Sequence, residues 1–437
     1  MSDLLLAYYG DDLTGSTDAM EALESHGVPS VLFTAPPSPA LRAQFPAARA
    51  VGIAGTSRSE SPGWMDTHLS AAFTALRAMG AAVTHYKLCS TFDSSPQRGN
   101  IGRAAEIGAA VFGQDVLPLL VGCPQLRRYT AFAQLFAAYR GTVYRIDRHP
   151  VMSRHPVTPM QEADLRLHLA QQTALPVALA DLALLAEPSP DATVDALLAT
   201  PGMLLLDVAD AATQAAAGRQ IWRLAQGGRR FVLGSSGVEY ALLAEWARLG
   251  LLPVRPAFEA VPAVERLAVV SGSCSPTTEA QIRHALADGF GGVALDPRDL
   301  GEAGLARAVE EGLAILRQGR SVLAYTALGP AGDLGGALED RHAVGVALGR
   351  LLAALVQRAG LRRGVVAGGD TSSHALRELG VAALTTRRPI PASPGSPLCT
   401  AHAASAGGAA AGLELAFKGG QVGDDAYFSR IRDGALG

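Results

Sequence analysis

Apolar positions in this chain come in short continuous runs, and the segments between them repeat apolar residues at helical spacing. Leu4 to Tyr9 is the first run. It has the length and continuity of a strand buried on both faces, and Met20 and Leu23 fall on the helix expected after it. Further strands are expected at Val28 to Phe33, Ala50 to Ala54, Ala81 to Leu88, Val116 to Val121, Thr142 to Ile146, Met203 to Val208 and Phe231 to Leu233. Amphipathic helices are expected at Met65 to Met79, Arg103 to Phe112, Tyr129 to Tyr139 and Ala211 to Leu224. Alternation of this kind predicts βαβ units around a mostly parallel sheet, whose right-handed crossovers bring the strand ends to one side.

The pattern breaks at Pro253 to Pro262, where three prolines and no period read as an extended connector. Beyond it the alternation resumes, with strands expected at Leu267 to Val270, Gly292 to Leu295, Val322 to Tyr325, Val365 to Ala367 and Leu413 to Phe417. Helices are expected at Thr277 to Ala287, Leu305 to Arg317 and Arg341 to Ala359. A chain of 437 residues exceeds what one core usually serves. The expectation is two α/β domains, residues 1–252 and 263–437, each with a mostly parallel central sheet flanked by helices, and an active site in the cleft between them.

Composition narrows the function. A net charge of -3 with no basic stripe argues against nucleic acid as a partner. No signal peptide and no membrane-spanning run is legible, so a soluble cytoplasmic protein is expected. The four cysteines are far apart and form no C-x-x-C pair, which argues against structural zinc and against a disulfide framework. His149 and His155 share one segment, but without a third ligand nearby a metal site is not expected there. A homodimer is only the prior for a chain of this size.

Candidate chemistry gathers at the strand ends. The first run stops on Gly10-Asp11-Asp12-Leu13-Thr14-Gly15, placing two carboxylates at the carboxyl edge of a strand, where ligands bind in open parallel sheets. The bland alternative is a helix cap by Asp12 or Thr14. Polar clusters also follow Ala54 (Gly55-Thr56-Ser57-Arg58), Leu88 (Cys89 to Ser95, then Arg98 to Gly102) and Ile146 (Asp147-Arg148-His149-Pro150). Each alone reads as a turn; together they equip the edge for a small, polyhydroxylated, anionic ligand. In the second half, Ser271 to Ser275, Gly368 to Ser373 and Lys418 to Gly423 are small-residue turns suited to phosphate. For Ser271 to Ser275 an N-cap by Ser275 before Pro276 is the competing account. The chain has no G-x-x-x-x-G-K-[ST] and no G-x-S-x-G, and Gly289 to Ala294 precedes its strand, unlike a dinucleotide fingerprint.

The ordered series Gly10 to Gly15 with Asp18, Ser57-Arg58, Lys87 with Cys89 to Ser94, Gly99 to Gly102, Ser271 to Ser275, Gly368 to Ser372 and Lys418 to Gly423 resembles the four-carbon acid sugar kinase family nearly end to end. The resemblance implies an ATP-dependent kinase with an N-terminal acid-sugar-binding domain and a C-terminal nucleotide-binding domain. It implies acid-sugar contacts at Asp11, Asp12, Arg58, Lys87, Ser90 and Thr91. Nucleotide contacts would fall at Ser271 or Ser273, at Gly368, Gly369, Asp370 and Thr371, and at Gly419 or Gly420. Cys89 to Ser94 is similar to the branch acting on 3-oxo-tetronates, while Arg98-Gly99-Asn100, after a short insertion, carries traces of threonate and erythronate kinases.

In such a kinase one of the two carboxylates, Asp12 by preference over Asp11, accepts the proton of the terminal hydroxyl, and Arg58 or Lys87 holds the substrate carboxylate. Mg²⁺ would bridge the ATP phosphates, with Asp370 the candidate to approach it. The rival readings are a non-catalytic sensor on the same scaffold and another nucleotide-dependent enzyme such as a ligase or dehydrogenase.

Overall fold

The computed structural model describes residues 4–155, 157–252, 257–329, 341–405, 408 and 410–437, apart from the side chains of Arg341 and Asp370. Residues 253–256 of the Pro-rich connector lie outside the described residues. Two compact units divide the chain. The first holds the chain up to Asp11, then Ala22–Ser30, then Pro46 onward to the connector; the second holds Asp12–Glu21, Val31–Phe45 and the chain from the connector to Gly437. The acidic doublet thus straddles the division.

In the first unit the strands lie in the order Ala50–Ala54, Leu6–Gly10, Val83–Lys87, Phe231–Gly234, Val116–Leu120, Gly202–Leu206 and Val177–Ala180, every pair parallel. Leu6–Gly10, Val83–Lys87, Val116–Leu120 and Gly202–Leu206 are buried at every position, which is why all but Val83–Lys87, with its buried Thr84, His85 and Lys87, read as continuous apolar runs. Helix starts are fixed by caps. The Ser61 hydroxyl accepts from the Trp64 N–H ahead of Pro62–Ala78, and Asn100 accepts from the Arg103 N–H ahead of Ile101–Phe112.

Two expectations fail in this unit. Tyr129 to Tyr139 is not a helix: Arg128–Ala131 and Gln134–Tyr139 pair antiparallel, and Thr142–Arg145 joins them as the third strand of a separate small sheet. The turn between the first two is Phe132-Ala133, with φ of 51° and 66°. Two-residue hairpins favour that backbone sign, yet neither residue is the Gly or Asn that announces it. The strand expected at Thr142 to Ile146 exists, then, but outside the parallel sheet. Val177–Ala180, at the sheet edge and only half-buried along most of its length, was not expected.

In the second unit Gly291–Ala294, Val322–Tyr325, Ala268–Ser271, Arg363–Ala367 and Glu414–Lys418 run parallel in that order. Leu398–Ala403 and Val381–Arg388 continue the sheet antiparallel, and Leu32 and Phe33 pair onto the latter. Neither of those two antiparallel strands was expected, because Thr385, Thr386, Arg387 and Arg388 break the apolar run. Residues 13–21 of helix Leu13–Ser25 belong to this unit, with Asp12 just ahead of them. The Glu21 carboxyl accepts the Ile390 and Gly395 N–H groups at 2.8 and 2.6 Å, and the Thr17 hydroxyl donates to the Gly395 carbonyl at 3.1 Å. Burial pushes Glu21 up to about 8.

Candidate active site

Register places the first unit's polar turns on one edge. Gly10 aligns with Ala54 and with Lys87, Lys87 with Gly234, and Gly234 with Leu120, so the loops that follow these strands are neighbours. Asp11 leaves the central strand, with its N–H donating to the Lys87 carbonyl at 2.8 Å. Its carboxylate is gripped by Arg58, from Nη2 to Oδ1 at 2.8 Å and from Nε to Oδ2 at 3.2 Å. Arg58, expected to hold a substrate carboxylate, is therefore paired with Asp11. Lys87 is buried, and its Nζ donates to the Leu88 carbonyl at 3.0 Å. Ser90 and Thr91 are buried beside it, the Thr91 hydroxyl donating to Asp93 Oδ1 at 2.5 Å. Burial pushes the Cys89 thiol up.

The His149 to His155 segment folds as two short turns. His149 Nδ1 accepts the Val151 and Met152 N–H groups, and His155 Nδ1 accepts that of Thr158. These imidazoles hold the loop, and the Thr158 hydroxyl faces Asp93 Oδ2 at 3.3 Å. Among the described residues no three His, Cys, Asp or Glu side chains gather as a metal site.

Two features of this edge went unread in the sequence. Ser235-Ser236-Gly237 follows the Phe231–Gly234 strand with the same small-residue signature as the turns singled out, and a Cβ on Gly237 would meet the Gly122 carbonyl oxygen at 2.1 Å. Asp207, immediately after the Gly202–Leu206 strand, is fully buried and pushed up to about 6 by that burial. Both were legible as polar residues closing an apolar run.

Asp12 caps helix Leu13–Ser25. Its Oδ1 accepts the Gly15 N–H at 2.6 Å and its Oδ2 the Thr14 hydroxyl at 2.7 Å. The cap and a chemical role are compatible, since each carboxylate oxygen has two lone pairs. Within the second unit Asp12 also lies against the glycine turn: a Cβ built on Gly369 would sit 3.6 Å from Asp12 Oδ2.

Three turns of the second unit lie side by side on its own sheet. Ser271 aligns with Ala367, and Ala367 with Lys418, on three adjacent parallel strands. Gly368 has φ +123°, and a Cβ there would meet Thr371 Oγ1 at 3.0 Å; one on Gly272 would meet the same oxygen at 2.4 Å. A Cβ on Gly420 would approach Ser273 Oγ at 3.3 Å. The glycines let the three turns close on one another. Helix Gly369–Glu378 starts directly after Gly368, which aims its first N–H groups at this edge. Ser275 caps Pro276–Ala287 as the competing account held, its hydroxyl accepting from Thr278 N at 3.0 Å, and it also bonds the Gly420 carbonyl. The side chain of Asp370 lies outside the described residues.

Beneath these turns Lys418 is fully buried, its Nζ donating to Thr278 Oγ1 at 2.9 Å. Desolvation pushes it down to about 7. A desolvated cation under three small-residue turns at a helix N-terminus fits an anionic ligand such as a nucleotide phosphate.

The family model described as sugar-binding N-terminal domain matches residues 6–242, and that described as nucleotide-binding C-terminal domain matches residues 268–428. A 3-oxo-isoapionate kinase of Paraburkholderia graminis is 46% identical over 452 residues, covering 99% of this chain and 95% of the relative. A 3-oxo-tetronate kinase of Cupriavidus necator is 32% identical over 442 residues, covering 97% and 95%. A solved structure from Salmonella typhimurium LT2 superposes with a TM-score of 0.77 at 25% identity, covering 97% of this chain and 98% of that one. Relatives named as kinases make this chain a phosphotransferase, and its two halves match a sugar-binding and a nucleotide-binding domain model. The chain belongs to the four-carbon acid sugar kinase family. No helix among the described residues is long and apolar enough to cross a membrane.

Proposed function

We propose that this kinase uses ATP to phosphorylate the terminal hydroxyl of a small 3-oxo acid sugar, with 3-oxo-isoapionate and 3-oxo-tetronates as the first compounds to try and threonate and erythronate after them. The observation that carries the reading is the approach of Asp12 to Gly369, which puts a carboxylate beside the turn suited to phosphate. In this reading Asp12 accepts the proton of the attacking hydroxyl, and its cap contacts with Thr14 and Gly15 hold it in place. Asp11, Arg58, Lys87, Ser90 and Thr91 line the acid-sugar side. Ser271, Ser273, Gly368, Gly369, Thr371, Gly419 and Gly420 surround the nucleotide phosphates with hydroxyls and backbone N–H groups, and Lys418 adds charge from below.

ATP supplies the phosphoryl group, and Mg²⁺ neutralises its phosphates. Asp370 remains the residue proposed to approach the metal. The protein's own contribution is alignment and charge stabilisation, which phosphoryl transfer demands more than covalent chemistry. Coupled ADP release across the panel of 3-oxo acids and aldonates tests the assignment. Turnover with at least one is expected, and release with none would return the chain to the sensor reading.

A further inference from the structure

Arg128 opens the small antiparallel sheet and is bridged backbone to backbone with Cys123, just past the carboxyl end of the Val116–Leu120 strand. One edge of its guanidinium is fixed: Nη1 donates to the carbonyls of Leu126, Arg127 and Ala138 at 2.9, 3.3 and 3.4 Å. The other edge is not used. Nε is buried without a partner, and Nη2 makes no hydrogen bond among the described residues. Buried donors are nearly always paired, so this one calls for an explanation.

Elsewhere in this protein the same edge forks a carboxylate at several arginines, while at Arg320 it meets backbone carbonyls and at Arg223 an amide oxygen. Arg58 presents Nε and Nη2 to Asp11, and Arg166 presents Nε and Nη2 to Asp164. Arg363, fully buried, presents Nε and Nη2 to Glu414. That is the geometry in which a guanidinium forks a carboxylate. Cys89, Cys123, Tyr129, Arg127 and His149 act electrostatically with Arg128, and among the described residues its guanidinium bonds only backbone carbonyls and no carboxylate. Burial and the Arg128 charge both push His149 down, and an imidazole supplies no negative charge in either protonation state. Cys89 begins the segment containing Ser90 and Thr91, which joins Arg128 to the acid-sugar edge already described.

We propose that Arg128 is the carboxylate-binding residue of the acid-sugar site, its Nε and Nη2 edge forking the substrate carboxylate while Arg58 stays paired with Asp11. The proposal rests on the acid-sugar reading of the first unit. It makes Arg128 a determinant of specificity for acids over the corresponding neutral polyols.

Calorimetric binding of threonate, threitol and ATP to wild type, Arg128→Gln and Arg128→Lys tests it. Loss of two charge-assisted bonds should weaken threonate about 10- to 100-fold in Arg128→Gln. Arg128→Lys should recover part of that, and threitol and ATP should bind as to wild type. Unchanged threonate affinity in a folded Arg128→Gln, or parallel loss of threonate, threitol and ATP, would overturn the proposal. Phenylglyoxal labelling of the wild-type protein, read by mass spectrometry, is the second measurement. Arg128 should be protected by threonate and not by threitol, and equal labelling with both would count against it. Should wild type turn over no acid sugar at all, the kinase substrate assignment falls separately. Arg128 is then judged by protection with tartrate and glycerate, and no protection by these simple hydroxy acids would overturn it.

Discussion

Replacing Lys418 by Met separates stability from binding. With its side chain fully buried, the pKa of Lys418 falls from the ordinary 10.5 to about 7. Converted to free energy, that is at most ~5 kcal/mol of charging cost. The sign follows from proton counts: between pH 7 and 10.5 the unfolded chain holds more protons here than the folded protein, so stability rises with pH across that window. The cost is full below about pH 7 and is relieved as the folded ammonium deprotonates. Met keeps the length and removes the charge. Urea unfolding of ligand-free protein should show Lys418→Met gaining most at about pH 6, up to ~5 kcal/mol, with the gain falling to ~2 kcal/mol by about pH 9. Glu21 and Glu24, raised to about 8 and about 7, are present in both proteins and cancel in the difference. ATP affinity should move the opposite way, with Kd rising about 10- to 100-fold on loss of the cation. A stability difference that stays flat over this pH range, or unaltered ATP binding by the variant, would refute the reasoning.

Three further outcomes follow from the same geometry. Asp12→Asn keeps an oxygen for the Gly15 N–H and so retains the helix cap; kcat should fall about 10²- to 10⁴-fold with ATP affinity nearly unchanged, and steady-state kinetics with near-normal turnover would remove Asp12 as the base. Gly369→Val places methyl groups against Asp12 Oδ2, already 3.6 Å from where a Cβ would sit; calorimetry should show ATP binding weakened at least about tenfold, and an unchanged dissociation constant would count against the cradle. Glu21→Gln turns an amide donor toward one of the two N–H groups that Glu21 now accepts, which should cost ~1–3 kcal/mol in urea unfolding near neutral pH; equal stability would mean the docking of this helix is held by other contacts.

Much of the site was legible from letters alone. Gly10 to Asp12, Lys87 to Thr91, Ser271 to Ser273 and Gly368 to Thr371 all close apolar runs, and a strand buried on both faces announces itself as such a run. Ser235 to Gly237 and Asp207 carry the same signal at the ends of their strands. Arg128 carried none, because the letters around it suit a helix as well as the hairpin that forms. What makes Arg128 a candidate is that its Nε is buried without a partner.

The order of buried strands, the helices between them and the small polar turns at their carboxyl ends were set by the sequence alone, since burial and turn chemistry act on residues close together along the chain. Tertiary structure decided which charges meet. Arg58 could have served a ligand but pairs with Asp11; Asp12 comes to rest beside Gly369; Lys418 is buried with a hydroxyl for company. Pairings of this kind depend on segments far apart in the chain arriving side by side within each unit, and the spatial order of the strands, which no short stretch of sequence encodes, is what brings them there.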